Sequence, residues 1–290
     1  MEYILENNVL KLTVSSAGAE MVSLVRKDDG VEHIWGGGPL WNRHAPILFP
    51  YTGKVRGGSF TAKGQVFEGA QHGFARDMEH CLVSIGADEL VLELRASEDT
   101  YKYWPYDFRL ISSYRIDGDT LYHSMTVENP GEEKLMFGMG YHPAFRVPFD
   151  DVHTYADYEF RFEQEESPLC LQTSGGLIAG RVYALGSNIR EIPLDEHLFD
   201  NDSHCMVNLR SRTLGIYEKD SGRAVVCGID GFPYTLIWSK PGEPQFVCIE
   251  PWHSIPDTIE ASGKWEEKPA AAVLAPGEHF TATLKMRFAR

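Results

Sequence analysis

A chain of 290 residues with 27 Lys and Arg against 42 Asp and Glu carries a net charge of −15, the wrong sign for reading a phosphate backbone, which excludes nucleic acid as a natural partner. The five cysteines, Cys81, Cys170, Cys205, Cys227 and Cys248, are odd in number, widely separated and without a Cys-x-x-Cys pair, so they read as reduced thiols of a cytoplasmic protein rather than as a metal or redox motif. Residues 1–8 are acidic and lack the regions of a signal peptide, and no apolar run approaches the roughly 20 residues that span a bilayer, so no membrane partner is expected.

Taken in chain order, the dominant period is two. Leu10, Leu12 and Val14 open a strand with one buried face. Leu82 to Ile85 and Val91 to Leu94 flank Gly86-Ala87-Asp88 as a hairpin. Phe108, Leu110, Ser112, Tyr114 and Ile116 run into Asp117-Gly118, and Leu121, His123, Met125 and Val127 return, which predicts a second hairpin with a tight Asp-Gly turn. The best helical candidate is the short segment Pro193 to Phe199, with the proline near a first helical position. A further hairpin joins Gly215 to Glu218 with Ala224 to Cys227, and Phe280, Ala282, Leu284, Met286 and Phe288 alternate with polar residues in a last strand. The 27 glycines and 16 prolines are spread evenly, without a linker or a repeat. The expectation is one all-β antiparallel domain over 1–290, built as stacked sheets or a barrel because open sheets seldom exceed about ten strands.

Three islands interrupt this pattern with chemistry. Phe246-Val247-Cys248-Ile249-Glu250-Pro251-Trp252 sets a carboxylate at the end of an apolar run; Pro251 should stop the ladder there, leaving Glu250 as a candidate base and Trp252 as an apolar face for a sugar. His72-Gly73-Phe74-Ala75-Arg76-Asp77 and Gly140-Tyr141-His142-Pro143-Ala144-Phe145 each hold a histidine among glycine, proline and aromatics. The bland alternatives are a solvated strand-end glutamate and packed turn histidines. Arg76 can fork to sugar hydroxyls or pair with Asp77. A metal site from His72, His142 and Glu250 lacks short ligand spacing, so none is expected.

These islands, with Ala45-Pro46-Ile47-Leu48-Phe49-Pro50 before them and Ile255-Pro256-Asp257 after, stand in the order and spacing of the aldose 1-epimerase (galactose mutarotase) family, whose LacX-like branch the chain resembles. The resemblance covers most of the chain. It implies a large antiparallel β-sandwich, the galactose mutarotase-like supersandwich, with a sugar groove. It also implies an isomerase that interconverts α and β anomers by ring opening without a cofactor, acting on a small sugar as a monomer or homodimer. By the same resemblance His142 is the general acid, Glu250 the general base and His72 a substrate-positioning residue. An ionised glutamate accepts the C1 hydroxyl proton, and a histidine kept protonated donates to the ring oxygen.

The chain also departs from the family pattern. Lys54, in Gly53-Lys54-Val55-Arg56-Gly57-Gly58, stands at the position of a substrate-binding arginine and keeps the charge without the fork. The family's substrate-specifying aspartate falls on Asp200 or Asp202, and Tyr141 replaces a small polar residue. Two other functions stay open: a sugar-phosphate mutarotase in which Arg43, Lys54 and Arg76 converge on the phosphate, and a carbohydrate-binding protein without turnover.

Overall fold

The computed structural model describes residues 1–290. The two-residue alternation resolves into two large antiparallel sheets stacked as a sandwich. Nine strands form one sheet, in spatial order Ile189–Pro193, Tyr158–Glu166, Thr213–Glu218, Ala224–Gly228, His279–Ala289, Thr120–Glu128, Arg109–Asp117, Glu89–Arg95 and Cys81–Ile85. In the other, Leu177–Ala184, Leu169–Ser174, His204–Met206, Tyr234–Trp238, Phe246–Trp252, Gly140–Tyr141 and Ile47–Leu48 follow one another, and Ala144–Arg146 adds a second partner for Phe246–Trp252. No helix is long and apolar enough to cross a membrane. The only α-helix is the single turn Glu98–Tyr101, capped by Ser97.

One face of each sheet supplies the common core. Leu110, Tyr114, Met125, Val127, Leu284 and Met286 from the nine-stranded sheet meet Tyr141, Phe145, Ile237, Val247 and Ile249 from the eight-stranded one. Removing each such side chain from water stabilises the fold by about 1.5–3 kcal/mol. This packing fixes which face of every strand is left for chemistry.

Three local expectations differ from the structure. Asp117 pairs with Thr120, so the hairpin turn is Gly118-Asp119, with Gly118 at φ +56°. Pro193 ends a strand instead of starting a helix; beyond it the Asp195 carboxylate accepts from the His197 N–H at 2.7 Å, a local bond that replaces helical pairing. Pro251 does not stop its ladder, because Trp252 still pairs with Tyr234 and Gly140. The sheet accommodates the proline because the adjoining strand is itself broken at that level, between Gly140–Tyr141 and Ala144–Arg146.

Candidate active site

The break in the adjoining strand builds the site. Gly140 lies opposite Trp252 and Ala144 opposite Cys248, so the residues midway on the two sides, His142 and Glu250, face each other across the ladder. With Val247 and Ile249 directed into the core, Cys248, Glu250 and Trp252 point to the opposite face. His142 Nε2 sits 3.2 Å from Glu250 Oε2, and the two residues are only 7% and 1% exposed. The geometry is off a hydrogen bond: Glu250 Oε2 and His142 Nδ1 are both buried without a partner. Trp41 stacks on the His142 ring at 5.0 Å and Trp238 meets its edge at 5.7 Å, which fixes the imidazole plane.

His72 reaches the same cavity from a strained loop. Its φ is +68°, a left-handed conformation unusual for a side chain with a β-carbon, and Gly73 follows at +74°. Gly73 is required by close approach, since a β-carbon there would lie 2.2 Å from the Phe49 carbonyl oxygen. The strain is held by a reciprocal pair: the His72 N–H donates to the Gly53 carbonyl at 2.7 Å, and the Gly53 N–H donates to His72 Nδ1 at 3.0 Å. Because Nδ1 accepts, the neutral ring carries its proton on Nε2, leaving that N–H free as a donor.

The buried setting works against a standing glutamate anion and imidazolium. Burial, reinforced by the Arg76 and Arg43 guanidinium groups, lowers His142 to about 3. Burial and then the Asp202 charge push Glu250 well above its ordinary 4.5. Each residue alone resists charge, which favours a pair that holds one proton between them. Burial favours carboxylic acid beside imidazole, while direct contact favours carboxylate beside imidazolium. Burial first, and then His142 and Arg76, also hold His72 neutral.

The cavity is lined by Gly53, Gln71, His72, Thr173, Asp202, Cys205, Trp238, Glu250 and Trp252 among others, with His142 beside Glu250. The residues singled out in the sequence separate clearly. His142, Glu250, His72, Asp202 and Trp252 are brought together; Asp200, Lys54 and Arg76 are not among the lining residues. Asp200 turns away to His197 at 3.0 Å, and of the two aspartates Asp202 is the one that lines the cavity. Lys54 Nζ donates to the Gly175 carbonyl at 3.1 Å, behind the lining residue Gly176. Arg76 braces the loop instead, donating to the Gln71 carbonyl at 2.6 Å, and Arg43 pairs with Asp77 at 2.8 Å. Arg76 Nε also lies 3.8 Å from Asp77, so Arg43 and Arg76 share that carboxylate while Lys54 is held at Gly175, and the three cations do not meet at one anion site. Trp252 is 3% exposed and wedged between His72 and Gly140, so it is a wall more than an open platform.

Tyr141 also points away. Its hydroxyl lies within hydrogen-bond distance of the core carbonyls of His123 and Ala282, donating its one proton between them, and accepts from the Met125 N–H, so this departure from the family pattern never reaches the cavity. Sequence reasoning missed Trp41, Trp238 and Cys205. Cys205 and Leu236 lie in one row with Glu250, a relation carried by strand pairing that spacing along the chain does not reveal. His253, which follows the glutamate motif, packs between Phe232 and Phe280 and does not line the cavity.

Two groups of side chains have metal-ligand proximity: His142, Cys248 and Glu250 at the cavity, and Asp150, His153 and Glu218 away from it. Arg223 already bonds both carboxylates of the second group.

Comparison with known proteins agrees with this architecture. Residues 1–287 match the family model described as aldose 1-epimerase. Protein LacX of Lactococcus lactis subsp. lactis is 28% identical over 282 residues, spanning 94% of each chain. A galactose mutarotase related enzyme from Lactobacillus acidophilus superposes with a TM-score of 0.95 at 28% identity, over 100% of this chain and 98% of the other. A galactose mutarotase-like protein from Lactobacillus casei ATCC 334 gives 0.90 at 28% identity, over 99% of both chains.

Proposed function

This chain belongs to the aldose 1-epimerase family, and we propose that it interconverts the α and β anomers of a free, neutral aldose. Glu250 takes the proton of the C1 hydroxyl while His142 protonates the ring oxygen; the C1–O5 bond breaks and the open-chain aldehyde forms. Rotation about C1–C2 and closure with the protons returned give the other anomer. The observation that carries the reading is the 3.2 Å approach of His142 to Glu250 at a cavity wall.

The one-proton state suits this chemistry. Ring opening converts carboxylate plus imidazolium into carboxylic acid plus imidazole, so the pair starts and ends with the same proton count and near-equal net charge. A buried environment that disfavours charge on either member thereby eases the opening step. His72, with its proton on Nε2, donates a hydrogen bond to a sugar oxygen, and Asp202 accepts from a hydroxyl.

Support for a neutral substrate comes from the lining: it includes the carboxyl groups of Asp202 and Glu250 and no lysine or arginine. A phosphate placed there would meet negative charge without a fork to hold it. The test is saturation-exchange NMR of anomeric protons on a panel of free hexoses, pentoses and hexose 6-phosphates. Accelerated exchange of free sugars is expected. Exchange confined to the phosphorylated sugars would overturn the neutral reading, and binding without exchange would overturn turnover itself.

A further inference from the structure

The face that carries the acid and the base holds a third donor that anomer exchange does not use. Cys248 precedes Glu250 by two residues on the strand Phe246–Trp252 and pairs with Ala144, two residues beyond His142. The two strands thus present sulfur, oxygen and nitrogen in one patch. One ligand atom from each of His142, Cys248 and Glu250 lies within 4.8 Å of the other two, and all three residues are buried. Glu250 Oε2, buried and without a hydrogen bond, is directed at His142 Nε2.

We propose that His142, Cys248 and Glu250 form a zinc site, and that the bound ion takes both members of the acid–base pair and reversibly stops turnover. The inhibitory half rests on the reading of that pair as acid and base; the binding half does not. The donor set selects the metal. A thiolate, an imidazole and a carboxylate suit borderline-soft zinc, whereas magnesium and calcium require oxygen alone. Three protein ligands leave the fourth tetrahedral position for water or a sugar oxygen from the cavity. The spacing fits as well: zinc bonds of roughly 2.0–2.2 Å to nitrogen and oxygen put those two ligands about 3.3–3.5 Å apart, close to the 3.2 Å between His142 and Glu250.

Coordination must displace the thiol proton to water. Zinc binding therefore releases a proton and tightens as pH rises. The groups facing the site are His72 beside His142, with the Arg76 and Arg43 guanidinium groups and Asp202 farther out. The absence of short ligand spacing argued against a metal when His72 was the third donor; Cys248-x-Glu250 supplies that spacing.

The experiment uses the full chain, stripped with a chelator and titrated with zinc chloride and with cobalt(II) chloride. Calorimetry should give one zinc per chain, cobalt should show the charge-transfer absorption of a thiolate ligand, and anomer exchange should fall with zinc occupancy and return on adding chelator. Cys248→Ala should keep turnover near wild type, lose the charge-transfer band and bind zinc at least about tenfold more weakly, the least that loss of even an outer-shell partner costs. Should the alanine variant fold poorly, Cys248→Val fills the space without offering a ligand. Wild-type zinc affinity in either variant, or cobalt binding without the thiolate band, would overturn the site. Because affinity and absorption need no turnover, a failure of the mutarotase reading would leave this result interpretable.

Discussion

Two buried histidines, one in each sheet, share the same burial and the same depressed proton affinity, yet only one is placed for chemistry. His123, on Thr120–Glu128 of the nine-stranded sheet, is lowered to about 3 by burial alone. Its Nε2 is hydrogen-bonded to Ser112 at 2.8 Å and its ring stacks on Tyr114 at 4.0 Å. His142, on the broken strand of the eight-stranded sheet, is also lowered to about 3. It faces a carboxylate at 3.2 Å, beside a cavity. Perturbation of a histidine is therefore not a signature of function by itself; a proton partner and access for a substrate make the difference.

Substitution should separate the two regions most sharply. Glu250→Gln and His142→Asn are each expected to lower kcat by at least about 10² with the fold intact, measured by polarimetry on fresh α-glucose together with circular dichroism. His123→Gln should leave turnover close to wild type and instead cost about 1–3 kcal/mol in a urea melt, by disturbing the buried bond to Ser112. A large kcat loss at His123 would erase the contrast. His72→Ala comes next: removing one neutral donor should lower kcat/KM by about tenfold. The Gly53 N–H that His72 Nδ1 accepts also loses its partner, so a modest fall in stability accompanies it.

These contrasts were partly legible in the sequence. The alternations of Leu110 to Ile116, Leu121 to Val127 and Phe280 to Phe288 identified paired strands because a half-buried strand repeats every two residues. His142, Glu250 and His72 were legible through their motifs. Their mutual geometry was not, since His142 and Glu250 meet through a ladder register between distant segments. The direction of Tyr141 and the choice between Asp200 and Asp202 depend likewise on which face a strand or turn presents. Trp41 and Trp238 gave no local signal, because their value lies in stacking on a histidine remote in sequence.

Stability provides a subtler contrast. Between the ordinary 4.5 and the raised folded value, native Glu250 retains a proton that the unfolded chain releases, so unfolding becomes easier as pH rises through that range. Glu250→Gln removes this penalty. The variant should melt a few degrees higher than wild type at pH 7, and the difference should vanish below about pH 4, where both states hold the proton. Equal melting at both values would mean that the carboxyl is ionised in the fold.

The smallest expected effect is the absence of a step. The one-proton form of the pair gains a second proton only near the His142 value of about 3 and loses its own only at the raised Glu250 value. The kcat/KM profile should thus run flat through 6.5, where a free imidazole would titrate. An acid limb centred there would show that His142 titrates independently of Glu250.

The central claim is that Glu250 and His142 pass one proton count between them as a single device, and a double-mutant cycle tests it most directly. Anomer exchange would be measured by saturation-transfer NMR on wild type, Glu250→Gln, His142→Asn and the double variant under one condition. Residues acting as a unit give grossly non-additive losses, so the double variant should be about as slow as the slower single variant. Losses that multiply, each substitution costing its full factor in the presence of the other, would contradict the account.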